Sequence, residues 1–165
     1  IDHYGERAEW LRHGTDWGLV ESNLLKFRDL DYVSFQLNTV FSIFNYSTIG
    51  EFYSYLKSKG IIRRDDWYHS LYLAVHPSYY SGKSLPKELK VEAASKALAW
   101  AQNNEGDGTS LSRLVTDAVN FAKEDDSWGV NKQTFMLHTR SMDRIRGESL
   151  WKTFPELNKL QELME

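Results

Sequence analysis

Two runs that read as strands flank a segment that reads as a helix, and this β-α-β order constrains the fold of the chain more than any other feature. Residues Tyr32 to Phe44 are rich in β-branched and aromatic types, with Val33, Phe35, Leu37, Val40, Phe41 and Ile43. That composition argues for a strand covered on both faces toward its end. Thr48-Ile49-Gly50-Glu51 has the form of a capping box, in which a hydroxyl and a carboxylate close free amide groups. Phe52, Tyr53 and Leu56 continue that helix, and Gly60 is placed to end it. A second strand follows over Ser70 to His76 and stops at Pro77. Strands alternating with helices imply parallel pairing and right-handed crossovers.

The flanking segments extend the pattern. Ile1-Asp2-His3-Tyr4-Gly5 reads as a strand end running into a turn, followed by an arm from Glu6 to Gly14. Thr15 or Asp16 caps a helix with Trp17, Val20, Leu24 and Phe27 at helical spacing. Pro77 to Pro86 reads as a long loop. Lys87 to Asn103 is strongly helical, with Ala93, Ala94, Ala97, Leu98 and Ala101, and Pro86 suits its first turn. Ser110 opens a helix along Leu111, Leu114, Val115, Ala118 and Ala122. Asn131 opens another that ends at Gly147, and a short last helix from Pro155 uses Leu157, Leu160 and Leu163 or Met164. The expected organisation is an α/β part over 1–85, with two or three parallel strands, and a helical extension over 86–165 packing on it as one unit.

Composition removes several function classes. The 165 residues hold 20 Lys and Arg against 23 Asp and Glu, a formal net charge of -3. No basic block provides a footprint for duplex nucleic acid or an anionic membrane. No apolar run approaches the roughly 18 residues of a membrane span. The cysteine count is 0, which excludes disulfides, thiolate zinc sites, a catalytic cysteine and thiolate-held clusters within this chain. The chain starts on Ile1 without a signal-type apolar region, so the expectation is a cytoplasmic fragment or processed chain.

Candidate chemistry is sparse. His3, His13, His69, His76 and His138 show no metal-ligand spacing, so no metal site is expected. His76 stands where α/β folds place ligand contacts, at the C-terminal end of a parallel strand; the plain alternative is a structural loop histidine. Ser81-Gly82-Lys83-Ser84 imitates the end of a phosphate loop but lacks its upstream glycine and strand-to-helix context. No serine sits in a nucleophile elbow. Arg63-Arg64-Asp65-Asp66-Trp67 reads as a solvated corner. Trp67, Tyr68, Tyr72, Tyr79 and Tyr80 serve either as packing or as a stacking surface. Asn38 and Asn45, on or beside a buried strand, each need a backbone partner or a ligand.

The order of motifs resembles a known family. Asp2-His3-Tyr4-Gly5-Glu6-Arg7, then Trp10-Leu11-Arg12 and the helix at Trp17, is similar to the segment after the fourth barrel strand of radical S-adenosylmethionine (SAM) proteins. Phe35 to Asn45 resembles the fifth strand of the subgroup with a shortened auxiliary domain, the twitch-domain proteins. Met142-Asp143-Arg144-Ile145-Arg146-Gly147 with Phe154-Pro155-Glu156-Leu157 resembles that subgroup's C-terminal signature. The resemblance implies the C-terminal half of a (β/α) partial barrel. It implies a full-length parent in which a 4Fe-4S cluster, held by three cysteines upstream of Ile1, cleaves SAM and starts radical chemistry on a small-molecule or peptide substrate. This chain departs from the family in lacking those cysteines and in carrying His3 where a glycine is usual nearby.

Carried over by position, the resemblance implies that Asp2 closes the fourth-strand motif that faces the SAM ribose and that Arg12 matches the arginine associated with the SAM carboxylate, a role suited to a planar, permanently charged fork. Asn38 and His76 join them as candidate cofactor contacts from their places on the expected strands. The plain alternative for Arg12 is a surface ion pair with Glu9 or Asp16. The chain alone is expected to hold no bound cofactor and to show at most weak affinity for SAM, to have no catalytic residue of its own, and to dimerise by pairing its exposed strands or covering them with its C-terminal helices. Two rival readings stand beside this one. One is a cysteine-free ligand-binding or interaction module. The other is a small α/β enzyme using His76 with a carboxylate such as Asp2 as base, which requires the two within hydrogen-bond reach.

Overall fold

The computed structural model describes residues 1–64, 66 and 68–163; Asp65, Trp67 and Met164, named in the sequence reading, lie outside them. Its elements run α1 (Gly5–Leu11), α2 (Trp17–Arg28), β1 (Asn38–Phe41), α3 (Ile49–Ser58), β2 (Ser70–Leu73), α4 (Lys87–Asn103), α5 (Leu111–Lys123), α6 (Trp128–Arg146), α7 (Leu150–Thr153) and α8 (Lys159–Glu162). Single 3-10 turns occupy Ser78–Tyr80, Gly82–Ser84 and Pro155–Leu157. This is a mixed α/β fold dominated by helix. Among the described residues no helix is long and apolar enough to cross a membrane.

β1 and β2 pair in parallel, with Asn38 opposite Ser70, Thr39 opposite Leu71, Val40 opposite Tyr72 and Phe41 opposite Leu73. Because side chains alternate across a strand, Thr39, Phe41, Leu71 and Leu73 share one face. Thr39 is 0% and Phe41 1% exposed, and the hydrophobic core lies on this side. Asn38, Val40, Ser70 and Tyr72 share the other face, where Asn38 and Tyr72 are exposed. A parallel sheet is ordinarily covered on both faces. Here, within the described residues, one face is open and polar: Gln36 Nε2 donates to Asn38 Oδ1 at 3.1 Å and to Ser70 Oγ at 2.9 Å across it.

The core runs without a break from Ala8 in α1 to Leu160 in α8, so the α/β part and the helical part share it. α3 buries Ile49, Phe52, Tyr53 and Leu56, and α4 packs against it. The close approach is made at Gly50: a Cβ there would lie 2.5 Å from Cγ of Trp100 on α4. α5 packs its apolar stripe on α4 and on β2, with Ala122 reaching the Phe41 side of the sheet through Gly82. α6 ends on Gly147 in the left-handed conformation at φ 68, where glycine avoids the Cβ clash.

Several expectations are corrected. Residues 1–4 form no strand, and the arm after them is helix α1. The sheet therefore has two strands, not three. β1 spans only Asn38–Phe41 because the chain turns immediately afterwards, and β2 stops at Leu73, leaving His76 beyond it. Thr48 precedes α3, but its side chain caps no helical amide; its Oγ1 lies 3.1 Å from His3 Nε2 instead. α6 begins at Trp128, ahead of Asn131, and a further short helix, α7, precedes Pro155. Asp16 does cap α2, its carboxylate accepting from Leu19 N.

Candidate functional site

The C-terminal ends of β1 and β2 open onto a cleft of about 270 Å³ whose lining includes Asp2, Arg12, Val40, His76, Tyr80 and Arg146. Asp2 reaches it from the extended segment before α1. Its Oδ1 accepts Val40 N at 2.8 Å, and its Oδ2 accepts Arg12 Nε at 3.1 Å and Nη2 at 2.9 Å. The carboxylate thus stands in for a neighbouring strand toward β1 and for a counter-ion toward Arg12. Arg12 follows the last residue of α1, and its side chain is 60% exposed against 13% for Asp2. The guanidinium spends Nε and Nη2 on one carboxylate oxygen, and among the described residues Nη1 has no partner. Neither Glu9 nor Asp16 is its partner.

The floor is aromatic. Trp10 packs at 5.2 Å from Phe44 and 5.4 Å from Phe154, and Tyr80 meets Phe44 edge-on at 4.9 Å. Asp143 on α6 fixes Trp10, accepting its Nε1–H at 2.9 Å, while Arg146 Nη1 donates to Trp10 O at 3.1 Å. The Tyr80 hydroxyl hydrogen-bonds His138 Nδ1 at 3.0 Å, and burial pushes its pKa up to about 12. Sequence reasoning did not single out Trp10, Tyr80 and Arg146 as site residues. Their signal was present, since Tyr80 belonged to the aromatic series and Arg146 to the tail motif.

Of the four candidate contacts, Asp2, Arg12 and His76 share this cleft. Asn38 does not: it starts β1, at the opposite end of the open face, with Oδ1 on Gln36 and its carbonyl accepting from the Ile1 ammonium at 2.8 Å. His76 is exposed and forms no hydrogen bond or ion pair among the described residues, so the histidine–carboxylate dyad of an α/β enzyme is not formed. Asn45 needs no ligand. Its Oδ1 accepts Ser42 N at 2.8 Å, and its Nδ2 donates to Val40 O at 2.8 Å and Asp2 O at 3.0 Å.

The remaining chemical candidates are occupied structurally. Lys83 of the phosphate-loop imitation donates to Asp125 at 2.7 Å and lies over the Phe121 ring. His69 accepts Leu37 N on Nδ1 at 3.3 Å, and burial lowers its pKa. Among the described residues no group of three His, Asp or Glu side chains is arranged to hold a metal ion. Comparisons of the chain with protein-family models, with curated proteins and with solved structures return no match.

Proposed function

We propose that this chain is the C-terminal part of a radical SAM protein of the twitch type, contributing part of a SAM and substrate site and inactive on its own. The observation that carries the reading is a parallel strand pair open on one polar face, with the Asp2–Arg12 pair at the C-terminal end of that face. A half-barrel has this form, because its missing strands would cover the open face and complete the cleft. The segment before α1 supports it too. Ile1 N donates to Asn38 O, so the chain runs along the outer edge of β1 where a preceding barrel strand would lie.

The residues fit SAM and do not fit the cluster. Arg12 Nη1, unpartnered among the described residues, suits a ligand carboxylate, and Asp2 keeps lone pairs for hydroxyl donors beyond its bonds to Val40 and Arg12. A 4Fe-4S cluster needs thiolates, and the chain has 0 cysteines. The cluster would belong to a chain segment preceding Ile1, and its bound form would supply the electron for SAM cleavage. What these residues do is bind and orient.

Two measurements test this. Reading the gene ahead of the Ile1 codon should reveal a CxxxCxxC motif; a cysteine-free upstream region favours the ligand-binding module, whose support is the same absence of cysteine. Calorimetric titration of the chain with SAM should give weak binding that disappears in Arg12→Gln. Tight binding would mean a complete site and overturn the half-site reading.

A further inference from the structure

The outer edges of the two strands are finished differently. In a parallel pair, alternate residues turn their backbone groups to the partner strand and the others turn outward. The bonds Ser70 N to Leu37 O and Ala74 N to Phe41 O fix the phase. The outward groups of β1 and its continuation belong to Asn38, Val40 and Ser42, and among the described residues all but Asn38 N are engaged. Ile1 N holds Asn38 O, Asp2 holds Val40 N, and Asn45 holds Val40 O and Ser42 N.

The outward groups of β2 belong to Leu71 and Leu73, and among the described residues none of them forms a hydrogen bond on that side. The nearest device is Ser110 Oγ, which accepts His69 N at 3.4 Å just before the strand. Proteins blunt such an edge with very short strands, lysine, proline or a bulge; β2, at 4 residues, is short. Ser70-Leu71-Tyr72-Leu73-Ala74-Val75 carries no charge and no proline, and Tyr72 is 57% and Val75 50% exposed.

We propose that the outer edge of β2 is a homodimerisation edge, pairing antiparallel with β2 of a second copy about a two-fold axis at Tyr72. The occupant is a second copy because the strand is complementary to itself. Under that axis Leu71 exchanges both backbone bonds with Leu73 of the other copy, and the two Tyr72 side chains meet in the position where no backbone bonds form and side chains approach most closely. A strand bearing a single-sign charge would repel its own copy; this one has none to repel. The two sheets become one, leaving the capped β1 strands at its ends. The pairing uses the backbone of the outer edge of β2, whereas the half-barrel reading rests on the other edge and on the open face, which Tyr72 shares.

The absence of cysteine makes the test clean. Sedimentation of the 165-residue chain across a concentration series should show a monomer–dimer equilibrium. Tyr72→Lys, at a solvent-facing position that leaves the fold intact by circular dichroism, should weaken it roughly tenfold or more by setting like charges opposite each other. Under mild oxidant Tyr72→Cys should form a covalent dimer, since Cα atoms at such a position stand at a disulfide-compatible separation of about 4.5 Å. Tyr32→Cys, at a position 88% exposed in the loop after α2, is the control for random collision. A monomer throughout the series overturns the proposal. So does a dimer unaffected by Tyr72→Lys, or cross-linking no faster at Tyr72 than at Tyr32.

Discussion

Asn45 holds Asp2 by its main chain: Asn45 Nδ2 donates to Asp2 O at 3.0 Å while also donating to Val40 O at 2.8 Å. Asp2 in turn accepts Val40 N on its carboxylate. The segment that brings Asp2 to the cleft is therefore fixed to β1 by side chains doing the work of a strand. Asn45 is 0% exposed; its bond from Ser42 N is buried and those to Val40 O and Asp2 O are partly buried.

Asn45→Ala removes the partners of Val40 O, Asp2 O and Ser42 N together, leaving one buried and two partly buried backbone groups unsatisfied. The expected loss is about 2–4 kcal/mol, read as a lower urea midpoint at unchanged m-value. Asn45→Asp should be no rescue, because a carboxylate cannot donate to the two carbonyls.

Gly50→Ala tests the α3–α4 contact. Alanine favours a helix over glycine by about 1 kcal/mol, but its Cβ would lie 2.5 Å from Trp100 Cγ and 2.7 Å from Trp100 Cβ. Trp100 is held in place by its Nε1–H bond to Ser54 Oγ at 2.8 Å, so overpacking wins. A net loss of about 1–2 kcal/mol is expected. Combining it with Trp100→Leu should cost less than the sum of the single changes, which a double-mutant cycle reads directly.

The sequence reached as far as local chemistry decides the outcome. Lys87–Asn103 was placed with both ends because its alanines favour helix, Pro86 suits an N-terminus, and the polar, glycine-bearing stretch after it stops one. The end of β1 was missed because β-branched and aromatic composition continues past Phe41, while the turn is imposed by Asn45 folding back on Ser42 and Val40. The capping box had the right letters, but His3 lies against the Thr48 hydroxyl from 45 residues away. The cleft was half legible. Asp2, Arg12 and His76 follow from strand polarity and motif order, whereas Arg146 and Trp10 stand in the quoted motifs but meet at the cleft only through the α6–α1 bonds of Asp143 and Arg146 to Trp10.

His3 gives the fold an acid-sensitive point. It is 0% exposed; its Nδ1 accepts Tyr4 N at 3.0 Å, and its Nε2 lies 3.1 Å from Thr48 Oγ1 and 3.2 Å from Arg7 Nη1. Burial, followed by the nearby Arg7 charge, lowers its pKa to about 3. Between that value and the unfolded value near 6.5 only the unfolded chain binds the proton. Stability from this group is thus complete above about pH 6.5 and falls as pH drops toward 3, by at most about 1.4 kcal/mol per unit. Urea midpoints measured between pH 7.5 and 4 should decline, and His3→Gln should flatten the decline even though it lowers stability at pH 7.5.

Arg12 separates binding from folding. Its pair with Asp2 is mostly solvent-exposed on the arginine side, and such pairs contribute less than about 1 kcal/mol. Asp2 keeps its bond to Val40 without it. Arg12→Gln should therefore unfold within about 1 kcal/mol of the parent chain while losing the heat of SAM binding. Arg12→Lys should recover little of that heat, because an ammonium cannot keep Asp2 on one edge and present a second planar edge to a carboxylate. If Arg12→Gln instead unfolded the chain, Arg12 would be a structural strut for the α1 turn, and its place in the cleft would carry no recognition.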